Sequence, residues 1–354
     1  MSDQSNTIVK QVTDARSQGK SLSIHGSGSH VFMLPEFKEA ISLDMTAHTG
    51  IIDYQPTELT LQARSGTPVE EIAKTLAEKN QRLPTDFLSF STRATLGGAV
   101  ATGLTGCSRP FQGAIRDHVL GVMLVNGQAE TVKGGGQVMK NVAGYDISRL
   151  MAGSRGTLGV MLDITLKVLP RSERMETRVF EMDENAALQH MNELAGKPLP
   201  VTAAIYLNGS LYLRLEGSDS GVAHAIKRIG GESLEQSPEF WQSINHQSHA
   251  FFSDTASLWR IIVPTTTPRL ELETDHQTLI DWCGGQRWLK SEFLTADDYR
   301  HVENVGGYIE PFRGQQAVAP DSNLQPLQIR MQQRVKRAFD PDRIFNPILS
   351  VDTE

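Results

Sequence analysis

Three glycine-rich clusters constrain this chain more than any other feature. They are His25-Gly26-Ser27-Gly28-Ser29-His30, then Ala94-Thr95-Leu96-Gly97-Gly98-Ala99 followed by Gly103 and Gly106, then Gly153-Ser154-Arg155-Gly156-Thr157-Leu158-Gly159. Each adjoins a predicted strand or helix start. Glycine lets the backbone approach an anion closely and turn successive N–H groups toward it. A helix predicted to begin near Leu96 adds the positive end of its dipole. A tight turn explains any one such loop equally well. Three within one half of the chain point instead to a phosphate-bearing cofactor. None has the Gly-Lys-Ser/Thr of a Walker loop or the Gly-x-Gly-x-x-Gly of a Rossmann turn, which counts against ATP and nicotinamide nucleotides.

The surrounding patterns are mixed. Residues 21–25, 40–44, 51–54 and 59–64 read as strands. Residues 67–79 read as a helix with Pro68 near its start. The apolar runs 119–125 and 159–169 read as buried strands. Pro170 closes this region, and the charged stretch 171–178 reads as a linker. Beyond it, strand patterns at 177–181, 201–206, 211–216 and 258–263 are separated by helical patterns at 184–195 and 221–229. A tail helix carries Leu327, Met331, Val335 and Ala338 on one stripe and stops at Asp340-Pro341. The expectation is an α+β chain: a first domain over 1–172, a smaller α+β cap over 173–322, and a segment, 323–354, packing back on the first.

The net charge of -7 disfavours nucleic acid and anionic membrane as electrostatic partners. No run approaches the roughly 20 apolar residues that span a bilayer. The polar first ten residues do not read as a signal peptide. Two cysteines, Cys107 and Cys283, are too few to hold an iron–sulfur cluster. They also give no disulfide framework. A reducing, cytoplasmic compartment is expected, with any membrane contact peripheral and made through a partner.

These motifs, together with Pro84-Thr85-Asp86, Arg109-Pro110-Phe111, Arg116-Asp117, the stretch 138–146 (Val-Met-Lys-Asn-Val-Ala-Gly-Tyr-Asp), Val160 and Phe345-Asn346-Pro347, carry a resemblance. The chain resembles FAD flavoproteins of the vanillyl-alcohol oxidase and p-cresol methylhydroxylase type. Within them it is similar to the FAD-binding subunits of bacterial glycolate-oxidising complexes. The likeness is continuous over roughly residues 20–170 and weaker beyond. It implies a two-subdomain FAD domain with a cap. It also implies that His25, Gly26, Ser27, Gly28, Ser29, His30, Ala94, Thr95, Gly97, Gly98, Ala99 and Gly103 lie along the cofactor. Pro84, Thr85, Phe111, Lys140, Asn141, Gly156 and Val160 join them, and Asn346 closes from the C-terminal segment. The partners implied are a larger paralogous FAD subunit and an iron–sulfur subunit, with a small 2-hydroxy acid as substrate. Catalytic relatives carry a His-x-x-Gly-Asp-Gly-Asn-x-His segment that binds metal and substrate. This sequence has no such segment, and no metal is expected.

Oxidation of a 2-hydroxy acid needs a cation for the carboxylate, a base, and a flavin to take the hydride. Arg109, Arg116, Lys140, Arg260 and Arg313 are the candidate cations, and Lys140, Arg109 and Tyr308 are the weak catalytic candidates. Asp146 reads as a helix cap. His246 and His249 lack an acidic third ligand and read as a solvated helix face. Neither His25 nor His30 sits where a covalent flavin link is expected. Acid precipitation should therefore leave a colourless pellet and a yellow supernatant; a yellow pellet would reveal a covalent bond.

Overall fold

The computed structural model describes residues 2–29, 39–136, 146–253, 257–314 and 326–346. The chain divides into two units. One holds Met1–Thr105, Ala114–Arg171 and Leu324–Glu354, and the other Gly106–Gly113 and Ser172–Asn323.

In the first unit the helix Ser5–Ser17 buries Ile8, Val12 and Ala15. They pack on Leu22, Leu43, Val160 and Leu162. The strand Leu22–His25 pairs in parallel with Ile41–Asp44. A five-stranded sheet runs Ile51–Gln55, Thr60–Arg64, Val160–Lys167, Val119–Val125, Thr131–Gly135. Its neighbours are antiparallel throughout. Val160–Lys167 is buried on both faces, as its unbroken apolar run requires. The helices Val69–Ala77 and Leu96–Thr102 supply Ile72, Leu76, Leu96 and Val100 to the core beneath it.

In the second unit eight antiparallel strands form one sheet. The order is Glu232–Ser233, Arg174–Glu181, Ser210–Gly217, Val201–Leu207, Gln277–Asp281, Gln286–Lys290, Leu258–Ile262, Tyr308–Arg313. Asn208 and Gly209, both at positive φ, make the two-residue turn between Val201–Leu207 and Ser210–Gly217. The helices Glu184–Ala195 and Asp219–Ile229 pack on the sheet through Ala187, Met191 and Leu194 and through Val222 and Ala225.

Three sequence expectations change. The stretch 171–178 is not a free linker: the strand Arg174–Glu181 starts inside it. Its charges are tied down, Glu176 bridging Arg174 at 2.6 Å and Arg178 at 2.9 Å. The segment Gly106–Gly113, read from sequence as part of the first domain, belongs to the second unit. There Phe111 packs on the clusters around Leu213 and Val222. The Trp282 indole N–H donates to the Gly106 carbonyl at 2.9 Å.

The tail helix Pro326–Phe339 does not bury the N-terminal half of its apolar stripe. Leu327 and Met331 are 61% and 59% exposed. Instead Val335 and Phe339 reach the core, and the buried residue is Lys336. Its ammonium donates to the Thr157 carbonyl, the Asp340 carboxylate and the Phe345 carbonyl at 2.7, 2.7 and 2.9 Å. Lys336→Met would leave Asp340, itself fully buried, without its counter-charge. A loss of about 3–5 kcal/mol is expected, read as a lower urea midpoint.

Candidate functional site

The first unit brings the three glycine clusters together. The first loop leaves the strand Leu22–His25, and Gly28 turns in the left-handed region at φ +77° with open space around it. Gly26 lies so close to the second cluster that a methyl group there would overlap the Thr95 hydroxyl. Thr95 caps the helix Leu96–Thr102, its hydroxyl accepting from the Gly98 N–H at 3.2 Å. Gly97 donates to the Ser65 carbonyl at 2.7 Å, and a side chain at 97 would press on Ser65 Cβ. The third cluster docks on the same helix. Gly153 donates to the Val100 carbonyl and Arg155 to that of Ala101. Gly156, at φ +73°, faces Asn346 and Ile24.

Asn346 is 1% exposed and joins the first and third clusters. Its side-chain carbonyl accepts from the Ile24 N–H at 2.7 Å. Its amide donates to the Arg155 carbonyl at 2.7 Å. Among the described residues, the N–H groups of Gly26, Ser27 and Gly28 have no acceptor within the chain. The buried hydroxyls of Ser65 and Ser154 likewise have no partner. Buried or oriented donors without acceptors are what a pyrophosphate would satisfy. Sequence reading missed Ser65, which lies outside the three clusters, and did not single out Ser154 from the third cluster that contains it.

The remaining expected positions are placed as follows. His25 is half-buried, with its ring against Ser42 Oγ at 2.6 Å and the Gly26 carbonyl at 3.0 Å. Pro84, Thr85, Ala94 and Ala99 are buried. Ser29 is the last described residue of the first cluster. Gly103, at φ +65°, packs on Gly153. Val160 opens the central strand and is fully buried. His30, Lys140 and Asn141 lie outside the described residues. Phe111 is in the second unit.

The second unit presents its own polar cluster. Trp282 and Cys283 take φ +51° and +55°, a strained pair in the turn between Gln277–Asp281 and Gln286–Lys290. Two guanidiniums cover the Trp282 ring, Arg109 at 4.2 Å and Arg260 at 5.2 Å from its centroid. Arg260 donates to Gln286 Oε1 at 2.7 Å and to Glu310 at 3.1 Å. Tyr308 lies in the same field: burial pushes its phenol up, Glu310 adds to this, and Arg260 and Arg109 oppose it. Arg109 and Arg260 are thus brought together on a residue, Trp282, that no sequence motif marked, and Tyr308 lies within their electrostatic reach. Arg313 is engaged with Gln247, and Arg116 is exposed beside Asp117.

The His-x-x-His pair is not a solvated helix face. His246 ends the helix Ser237–Asn245, and His249 accepts from the Phe251 N–H and packs edge-on against Phe240. Burial lowers the His249 pKa. Among the described residues no His, Cys, Asp and Glu group could hold a metal.

The FAD binding domain family matches residues 3–135. The glycolate oxidase subunit GlcE of Escherichia coli K12 is 40% identical over 98% of this chain and 97% of its own length. A D-lactate dehydrogenase of Anaerostipes hadrus is 25% identical over 87% of this chain and 79% of its own. The glycolate oxidase subunit GlcD of Bacillus subtilis is 29% identical over 43% of this chain and a third of its own. A solved alkyldihydroxyacetonephosphate synthase shares the fold, with a TM-score of 0.69 at 16% identity over 96% of this chain and 74% of its own.

Gly26→Ala should weaken FAD retention through overpacking of about 1–3 kcal/mol. Adding Thr95→Ala should recover part of this while losing the cap, about 1 kcal/mol. Bound flavin after gel filtration reads both, and strictly additive losses would show that the two positions do not touch. Burial and the nearby Asp281 push the Cys283 thiol up to about 12. It should stay unreactive toward a disulfide reagent at mildly alkaline pH until the protein is unfolded.

Proposed function

This chain belongs to the family of the glycolate oxidase subunit GlcE, and on that premise we propose that it carries FAD in a multi-subunit complex oxidising glycolate, or a close 2-hydroxy acid, to the 2-oxo acid. The convergence of the three glycine clusters in the first unit carries this reading. The free N–H groups of Gly26, Ser27 and Gly28 would take the pyrophosphate, with Thr95, Gly97 and Gly98 beside it. Lys336 and Asn346 hold the third cluster against the first strand and so keep the cradle closed. FAD, when bound, supplies the hydride acceptor.

The sequence lacks the metal- and substrate-binding segment of catalytic relatives. This favours substrate turnover on a larger paralogous FAD subunit resembling GlcD. The electron acceptor proposed is an iron–sulfur subunit, since this chain has only two cysteines, both buried. Arg109, Arg260 and Tyr308 are the groups of this chain suited to a carboxylate, and they favour a second reading in which the chain oxidises a small hydroxy acid by itself. Among the described residues no helix is long and apolar enough to cross a membrane. Any membrane contact is proposed to be peripheral and through the complex.

Expression with and without the partner chains separates these readings. The chain alone should retain FAD, and glycolate should bleach the flavin only when the larger FAD subunit is present. Bleaching by the isolated chain would establish the free-standing dehydrogenase. Absence of flavin from both preparations would sink the proposal.

A further inference from the structure

The second unit contains a polar cavity of about 210 Å³ that is separate from the cluster around Trp282. Its floor is one face of the sheet. Arg287 pairs with Ile280 and Ile261, and Leu289 pairs with Thr278, so these side chains share that face. Arg260 and Gln286 alternate with them and point to the opposite face, where Trp282 and Glu310 lie. Glu184, from the first turn of the helix Glu184–Ala195, and Arg269 and His276, from the connection before Gln277–Asp281, complete the walls.

Arg287 is the unusual member. It is 1% exposed. Its guanidinium donates to the Thr267, Pro268 and Gly284 carbonyls at 2.5, 2.8 and 3.5 Å. Those contacts staple the loop, yet they use three of five donors and supply no negative charge. Among the described residues no carboxylate lies within ion-pair distance of it. Burial accordingly pushes this group down to about 10, with Glu184 alone opposing the shift. Glu184 is itself raised by its own burial, against the pull of Arg287, Arg269 and His276.

We propose that this cavity binds a small carboxylate bearing a neighbouring hydroxyl or ammonium group, with Arg287 at the floor and Arg269 at the rim. A guanidinium fork matches a carboxylate in plane and charge. Two arginines against one glutamate leave a net positive cavity that favours a single negative charge. Glu184 would accept from the hydroxyl or ammonium and disfavour a dianion. The volume admits a metabolite of a few heavy atoms and excludes a nucleotide.

The test uses the full FAD-loaded chain with glycolate, glycine, acetate and inorganic phosphate as probes, followed by calorimetry and hydrogen exchange. Glycolate or glycine should bind saturably and protect residues 265–278 and 184–188 from exchange, and acetate and phosphate should bind more weakly. Arg269→Gln, at an exposed position, should weaken that binding about tenfold or more. Melting temperature and flavin absorbance should not change. Glu184→Gln should erase the preference for glycolate over acetate. The proposal is overturned if no probe protects these segments, if Arg269→Gln titrates like the parent, or if phosphate binds as well as glycolate.

Discussion

The first unit depends on one buried cation. Lys336 places its ammonium on Asp340 and on two carbonyls, those of Thr157 and Phe345. Thr157 belongs to the third glycine cluster, and Phe345 bridges to Leu22 at the start of the first strand. A charge removed from water is tolerable only when its donors are satisfied, and here the satisfied geometry fixes the segment after the tail helix against the third cluster and the first strand. Asn346 extends the same connection by one residue, spanning Ile24 and Arg155. Secondary structure alone would leave these three segments unconnected.

That arrangement explains why glycine recurs where it does. Gly26 meets the Thr95 hydroxyl, Gly97 meets Ser65, and Gly156 meets Asn346. Each marks a place where one backbone approaches another element too closely for a side chain. The glycines therefore serve assembly of the three clusters, and the proposed phosphate contact would use the same exposed backbone. The structural reading and the cofactor reading are two consequences of the same close approach.

Much of this was legible locally. The buried strands Val119–Val125 and Val160–Lys167, the helix start at Leu96, the Asp146 cap and the helix Glu184–Ala195 follow from apolar runs, capping residues and helical periodicity. The strands Gln277–Asp281, Gln286–Lys290 and Tyr308–Arg313 did not. They mix Gln, Arg, Lys and Glu with apolar residues, because one sheet face carries buried Arg287 and the other carries Arg260 and Glu310. Polar residues satisfied by long-range partners disguise the alternation that betrays a strand. The Asn208-Gly209 pair, by contrast, is a local turn signal that the hairpin between Val201–Leu207 and Ser210–Gly217 uses.

By itself the sequence determined the glycine clusters, the apolar periods and the likeness to a flavin family, since these depend on residue type and short spacing. The tertiary structure decided that Lys336, rather than the Leu327 stripe, anchors the tail. It also decided that Phe111 joins the second unit, and that Arg109, Arg260 and Trp282 form one cluster. Each of these rests on partners far apart in the chain, and no local preference encodes which distant carbonyl, ring or carboxylate a side chain will meet.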